Sequence, residues 1–139
     1  VVQDSTFRDD RNMFKIMGIA ILSFAILGTS IASAQNLTRP QKNAIRSAQS
    51  YLSLSGFSRA GLIAQLSSQY GDGYSVADAT AAVDSLVVDW NEQAVRSAKQ
   101  YLEMMGFSCN GLINQLSSDA GDKYTRSQAT YGAQQAGAC

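Results

Sequence analysis

The residues able to do chemistry are few, and they fall into pairs. Cys109 and Cys139 are the two cysteines. Asp72 and Asp122 stand in matching contexts, Gly71-Asp72 and Gly121-Asp122. Two carboxylates on opposed walls could hydrolyse a cell-wall glycan. An Asp beside Gly is explained by turn chemistry alone, because its side chain bonds nearby backbone. The chain has no His. That removes the commonest general base, the commonest metal ligand and every Ser/His/Asp or Cys/His arrangement. Two cysteines alone cannot complete a tetrahedral zinc site. The expectation is a protein with no catalytic residues, no metal and no cofactor.

The charge balance narrows the partner. Lys+Arg and Asp+Glu are 11 each, a formal net charge of zero. Displacing counterions from phosphates needs a basic surplus, so nucleic acid is not the expected partner. A chain of 139 residues, 16% charged and 45% hydrophobic, suits one small globular unit and a targeting segment.

The elements that position these residues are written twice. Gly56-Phe57-Ser58-Arg59-Ala60-Gly61-Leu62-Ile63-Ala64-Gln65-Leu66-Ser67-Ser68 recurs as Gly106-Phe107-Ser108-Cys109-Asn110-Gly111-Leu112-Ile113-Asn114-Gln115-Leu116-Ser117-Ser118, an offset of 50 residues. The same offset relates Arg46-Ser47-Ala48 to Arg96-Ser97-Ala98, Tyr51-Leu52 to Tyr101-Leu102, and Tyr74 to Tyr124. A repeat of this period is one supersecondary unit used twice.

Each unit reads as three helices. Thr38-x-x-Gln41 and Thr125-x-x-Gln128 are capping boxes, and Ser58, Ser75 and Ser108 are helix caps. Gly71-Asp72-Gly73 and Gly121-Asp122-Lys123 are turns. The fourth helix is expected over Cys109 to Asp119, and the last to about Gln135. Tyr51/Tyr101, Phe57/Phe107 and Tyr74/Tyr124 fit the core of such a small unit better than a stacking site. From Val76 to Met105 there is no Gly or Pro, and Val83, Val87, Trp90, Ala94, Ala98, Tyr101 and Met105 keep helical spacing. The expected fold is all-α: two tandem three-helix (helix-turn-helix) repeats sharing a long central helix of roughly 45 Å. The alternative is a break at Asp89-Trp90-Asn91, where Asp and Asn are mediocre helix formers.

Candidate partner-binding residues are Gln65 and Gln115, which recur without an apolar role, and Asp78, Asp89 and Glu92 on the central helix. Each has a plainer reading. The glutamines would cap backbone groups between helices, and Glu92 and Arg96 would form an i,i+4 pair on a solvated face. The second helix of each unit offers Arg59, Gln65 and Gln69, or Asn110, Asn114 and Gln115. That is a weak set for reading DNA.

The N-terminus reads as an address. Lys15 precedes the apolar run Ile16 to Leu27, and small residues follow to Ala32-Ser33-Ala34, the pattern of a secretory signal. The expected organisation is an upstream extension (1–12), a signal peptide (13–34) cleaved between Ala34 and Gln35, repeat 1 (35–90) and repeat 2 (91–139). The rival is an uncleaved anchor, since a span needs about 20 apolar residues. On either reading the protein is exported to the periplasm or cell surface. Any membrane association would come from the N-terminal segment, because no Cys stands near the cleavage site to carry a lipid.

Export makes a lone cysteine pair a disulfide. In the repeat alignment Cys109 matches Arg59 and Cys139 matches Asp89. Where repeat 2 has two cysteines, repeat 1 has opposite charges. Both pairs suit one contact between the start of the second helix and the end of the third.

The motif Ala-x-x-Tyr-Leu, then Phe-Ser-x-x-Gly-Leu-Ile-x-Gln-Leu-Ser-Ser, then Gly-Asp-x-Tyr-Ser/Thr and Ala-Thr resembles the repeat of the Ltp family, the host cell surface-exposed lipoprotein domain. It runs here from Ala48/Ala98 to Ala79-Thr80/Ala129-Thr130, with the Asp89-Trp90-Asn91-Glu92 junction. The resemblance covers about Leu37 to Gln135. It implies a small all-α envelope protein, often prophage-borne, that acts by binding and without catalysis. Some members exclude superinfecting phage by blocking DNA injection, with the phage tape measure protein as target. The other reading is a host envelope protein that binds a protein or wall polymer. The family's lipobox Cys has no counterpart here. Intact-mass measurement of exported, unreduced protein should give a chain starting at Gln35 with no titratable thiol.

Overall fold

The structure, a computed structural model, describes residues 36–139. The upstream extension, the signal segment and the Ala34–Gln35 junction lie outside the described residues. The described residues form six helices and no strand: α1 (Arg39–Leu54), α2 (Arg59–Ser67), α3 (Val76–Asp84), α4 (Trp90–Met104), α5 (Cys109–Ser117) and α6 (Arg126–Gln135). Within each repeat the first helix packs on the third, and the second closes against it.

The helix starts are set by side chains that take up free backbone N–H groups. Thr38 and Thr125 make complete capping boxes with Gln41 and Gln128. Ser58, Ser75 and Ser108 accept from the third N–H of their helices. α5 ends at Ser117, two residues short of the expected Asp119, because Ser118 turns to extended backbone. In the following turn Lys123 has φ 60° and its counterpart Gly73 has φ 68°. One left-handed step thus serves both repeats. Gly takes it freely, whereas Lys takes it with strain.

Each repeat has its own core. Leu62, Leu66, Ala48, Ala79 and Val83 are buried in the first, with Tyr51, Phe57 and Tyr74 packed against them. Leu112, Leu116, Ala98, Ala129 and Tyr124 are buried in the second, with Tyr101 and Phe107 alongside. The recurring aromatics therefore belong to the core. The Tyr–Phe pairs meet edge to face, with centroids 5.6 Å and 5.5 Å apart. Four leucines are fully buried, Leu62, Leu66, Leu112 and Leu116. Truncating any one to Ala should cost about 2–5 kcal/mol.

The long central helix is not present. α3 stops at Asp84 and α4 starts at Trp90. Three forces favour the break. Val87 and Val88 are β-branched and weak helix formers. Asp89 gains as a cap, accepting from Asn91 N at 2.9 Å and Glu92 N at 3.1 Å. The bend also lets Leu86 and Trp90 both pack on the first core. Val87, which the periodicity places on the buried face, is fully exposed.

The break changes the partner of Arg59. Cys109 and Cys139 are disulfide-bonded, with Cα atoms 4.8 Å apart. The matching link in repeat 1 is Arg59 to Asp84, with Nε–Oδ1 at 2.6 Å and Nη2–Oδ2 at 2.7 Å. Asp89, the aligned residue, is occupied in capping α4. The Asp84 carboxyl is held below its ordinary value by the hydrogen bond from Arg59.

The repeats meet through a connecting segment. Arg96 Nη1 donates to Leu52 O at 2.6 Å, and Ser55 Oγ donates to Gln100 Oε1 at 2.9 Å. Ser58 Oγ donates to the Asp122 carbonyl while accepting from Gly61 N. Gly56 lies so close to α4 that a Cβ there would come within 2.6 Å of Gln93 O.

The two staples should differ in weight. Cys139→Ser opens a separation of 30 residues and should lower stability by about 3–4 kcal/mol in the chain-entropy model. Arg59→Ala removes a half-exposed bidentate pair and should cost under about 1 kcal/mol, less in high salt. Urea melts of oxidised protein check both.

Candidate functional site: the cleft between the repeats

A Tyr–Asp–Gln chain is built into each repeat. Gln65 Nε2 donates to Tyr51 Oη at 3.2 Å, and Tyr51 Oη donates to Asp72 Oδ1 at 2.9 Å. Gln115, Tyr101 and Asp122 repeat this at 3.1 Å and 3.0 Å. The first and second helices are thereby tied to the turn before the third. The glutamines that recur without an apolar role are the far ends of these chains. Their plainer expectation fails in one detail: each side chain anchors a tyrosine hydroxyl instead of capping backbone.

The second chain is roofed by the first repeat. Ser55 and α4 residues Ser97, Gln100, Tyr101 and Met104 join Asp122 around a cleft of about 180 Å³. Small-molecule sites run to about 300–1,000 Å³, so this space fits a side chain better than a cofactor. Its floor is polar. Ser97 Oγ and Tyr124 Oη are hydrogen-bonded at 2.9 Å. Met104 lies at the rim, 70% exposed. Every buried side-chain nitrogen and oxygen among the described residues has a partner.

Burial sets the protonation behaviour. Desolvation raises the Asp122 carboxyl above its ordinary value and outweighs the hydrogen bond from Tyr101, which lowers it. Burial likewise raises the Tyr101 and Tyr124 hydroxyls. Tyr101 therefore stays a donor to Asp122 at neutral pH.

The other acidic candidates do not converge. Asp78, at the start of α3, accepts from Ser75 Oγ at 2.8 Å. Asp89 caps α4. Glu92 is exposed in the first turn of α4. The expected Glu92–Arg96 pair is absent among the described residues, because Arg96 turns to Leu52 O and Gln93 Oε1. The break between α3 and α4 puts these acids on two helices. Among the described residues no three His, Cys, Asp or Glu side chains could hold a metal ion. The polar residues that line the cleft, Ser55 and Gln100, were not singled out by sequence. Their signal was disagreement between the copies, since Met105 and Ser50 stand at the matching positions.

Comparison with known proteins is decisive at the level of family. The model described as host cell surface-exposed lipoprotein, Ltp, matches residues 40–86 and again 89–135. The chain belongs to the Ltp family. It is similar to the solved structure of Ltp, a superinfection exclusion protein from the Streptococcus thermophilus temperate phage TP-J34. Identity is 32%, the TM-score is 0.62, and the match covers 70% of this chain and 95% of that one. No curated protein matches. Membership agrees with the residue-level reading that the twice-written Phe-Ser-x-x-Gly-Leu-Ile-x-Gln-Leu stretch encodes a cap and an apolar face.

The raised Asp122 carboxyl has a pH consequence. Folded protein binds that proton more tightly than unfolded chain, so stability falls as pH rises from 3.8 through the folded value. Asp122→Asn keeps an oxygen for Tyr101 and removes the buried charge. Its stability relative to wild type should improve across that window and stay improved at neutral pH. Chemical denaturation at a series of pH values measures it.

Proposed function

We propose that this protein is an exported, non-catalytic binding module that excludes superinfecting phage by blocking DNA entry. The observation that carries the reading is the likeness of both repeats to a superinfection exclusion protein at 32% identity. The family's description as surface-exposed supports export through the segment 13–34, cleaved after Ala34 or retained as an anchor. Among the described residues no helix is long and apolar enough to cross a membrane. Attachment would then rest on the N-terminal segment, and a prophage is the fitting genetic setting.

The partner in this reading is a protein, with the phage tape measure protein as first candidate. The contact is the inter-repeat cleft. A side chain from the partner enters beside Met104 and meets Ser55 and Gln100. Methionine suits such a rim because its flexible thioether adapts to irregular partners. Glu92, exposed on α4, is available to steer a basic segment toward the cleft.

The test is phage challenge of a susceptible bacterium expressing the gene. Adsorption should stay normal while DNA entry and plaque counts drop by orders of magnitude. Met104→Asp should restore plaques while leaving the protein's melting temperature within a few degrees. Unchanged plaque counts across many tailed phages would instead favour a host envelope role.

A further inference from the structure

The contact that joins the two repeats uses two surfaces, and each repeat carries both. The donor surface is the last turn of the first helix and the segment that follows it. The acceptor surface is the first helix with the Gly-Asp turn. Within the chain, the donor of repeat 1 sits on the acceptor of repeat 2. The acceptor of repeat 1 and the donor of repeat 2 are left over.

Both leftover surfaces keep the residues the joint needs. The acceptor contributes Arg96, Ser97 and the Asp122 carbonyl, and its free copy has Arg46, Ser47 and Asp72. The donor contributes the Leu52 carbonyl, Gly56 and Ser58, and its free copy has Leu102, Gly106 and Ser108. Burial follows use. Ser58 and Ser97 are 1% and 4% exposed, whereas Ser108 is exposed and Ser47 half-buried. Arg46 and Asp72 are also exposed.

The glycines argue most directly. Gly56 is required, because a Cβ would meet Ser97 Oγ at 2.5 Å and Gln93 O at 2.6 Å. Gly106 has nothing within 4 Å of an added Cβ and no positive φ. Its own chain gives no reason for a glycine there, at a cost in unfolded-state entropy. A second acceptor seated on it supplies the reason.

One pair differs, and the change is reciprocal in size. The joint pairs Ser55 with Gln100, small against large. The free surfaces carry Met105 and Ser50, large against small. Met105 is 58% exposed, and in the repeated geometry it fills the space that the Gln100 amide occupies.

We propose that the protein self-associates head to tail, the Leu102–Ser108 segment of one copy seating on the Arg46–Ser47 face and Asp72 turn of the next. The interface is heterologous, so copies add in a row unless the rotation closes a ring. The covalent linker gives the internal joint a high effective concentration, which two copies lack. Association is therefore weak, with a Kd of roughly 10–1,000 µM expected for so small a contact. This inference does not rest on the phage reading.

Sedimentation velocity of the exported, oxidised protein tests it. Wild type should gain mean mass with concentration in the expected range. Gly106→Val blocks the donor and Ser50→Trp blocks the acceptor, and neither touches the internal joint. Each alone should stay monomeric, and a mixture of the two should form dimers and nothing larger. Ser50→Gln with Met105→Ser restores the Ser55–Gln100 pairing and should lower the Kd several-fold. Monomers in wild type and in that double variant would overturn the proposal. So would association that survives Gly106→Val, or a mixture that stays monomeric.

Discussion

The contact of Ser58 with the Asp122 carbonyl governs how the rest of the molecule is arranged. One hydroxyl does two things: it caps α2 by accepting from Gly61 N, and it ties repeat 1 to repeat 2. A cap oxygen has a hydrogen left to donate, and burial between the repeats gives that hydrogen an acceptor. The approach is close enough to require glycine at position 56. From this contact follow the roof over Asp122, the burial of Tyr124 and the small cleft beside Met104. Two repeats built on one motif become unequal because one covers the other.

That inequality gives the same residues different physics. Tyr101–Asp122 and Tyr51–Asp72 are alike in type and geometry, with hydrogen bonds of 3.0 Å and 2.9 Å. Asp122 is half-buried, and desolvation raises its carboxyl. Asp72 is exposed to solvent. The staples differ for a related reason. Each repeat links the start of its second helix to the end of its third, by a disulfide in one and a guanidinium–carboxylate pair in the other. Repeat 1 also has the α3–α4 connection, with Leu86 and Trp90 folded onto its core. In repeat 2 the covalent bond draws Cys139 onto the start of α5 at the matching place.

Local structure was legible in the sequence because its causes are local. The capping boxes at Thr38 and Thr125, the caps at Ser58, Ser75 and Ser108, and the left-handed step at Gly73 each depend on residues within one turn. The repeat and the all-α class were legible for similar reasons, and the cysteine pairing because the sequence holds only two cysteines. Asp89 was read through an alignment that paired it with Arg59, when its nearest demand was the cap of α4. Val87 fitted a helical phase that nothing packed against. Periodicity says which residues could share a face, and it does not say whether the helix continues.

The sequence by itself determined the three-helix unit, its duplication, its family and the aromatic members of its cores. Those follow from spacing, caps and apolar pattern, which are short-range properties. Only the tertiary structure decided that α3 and α4 are separate helices. It also decided that Gln65 and Gln115 hold tyrosines, that Arg96 leaves Glu92 for Leu52 O, and that one of two equal turns is covered. These outcomes depend on which groups compete for a partner across the fold, and competition at a distance leaves no mark in the order of residues.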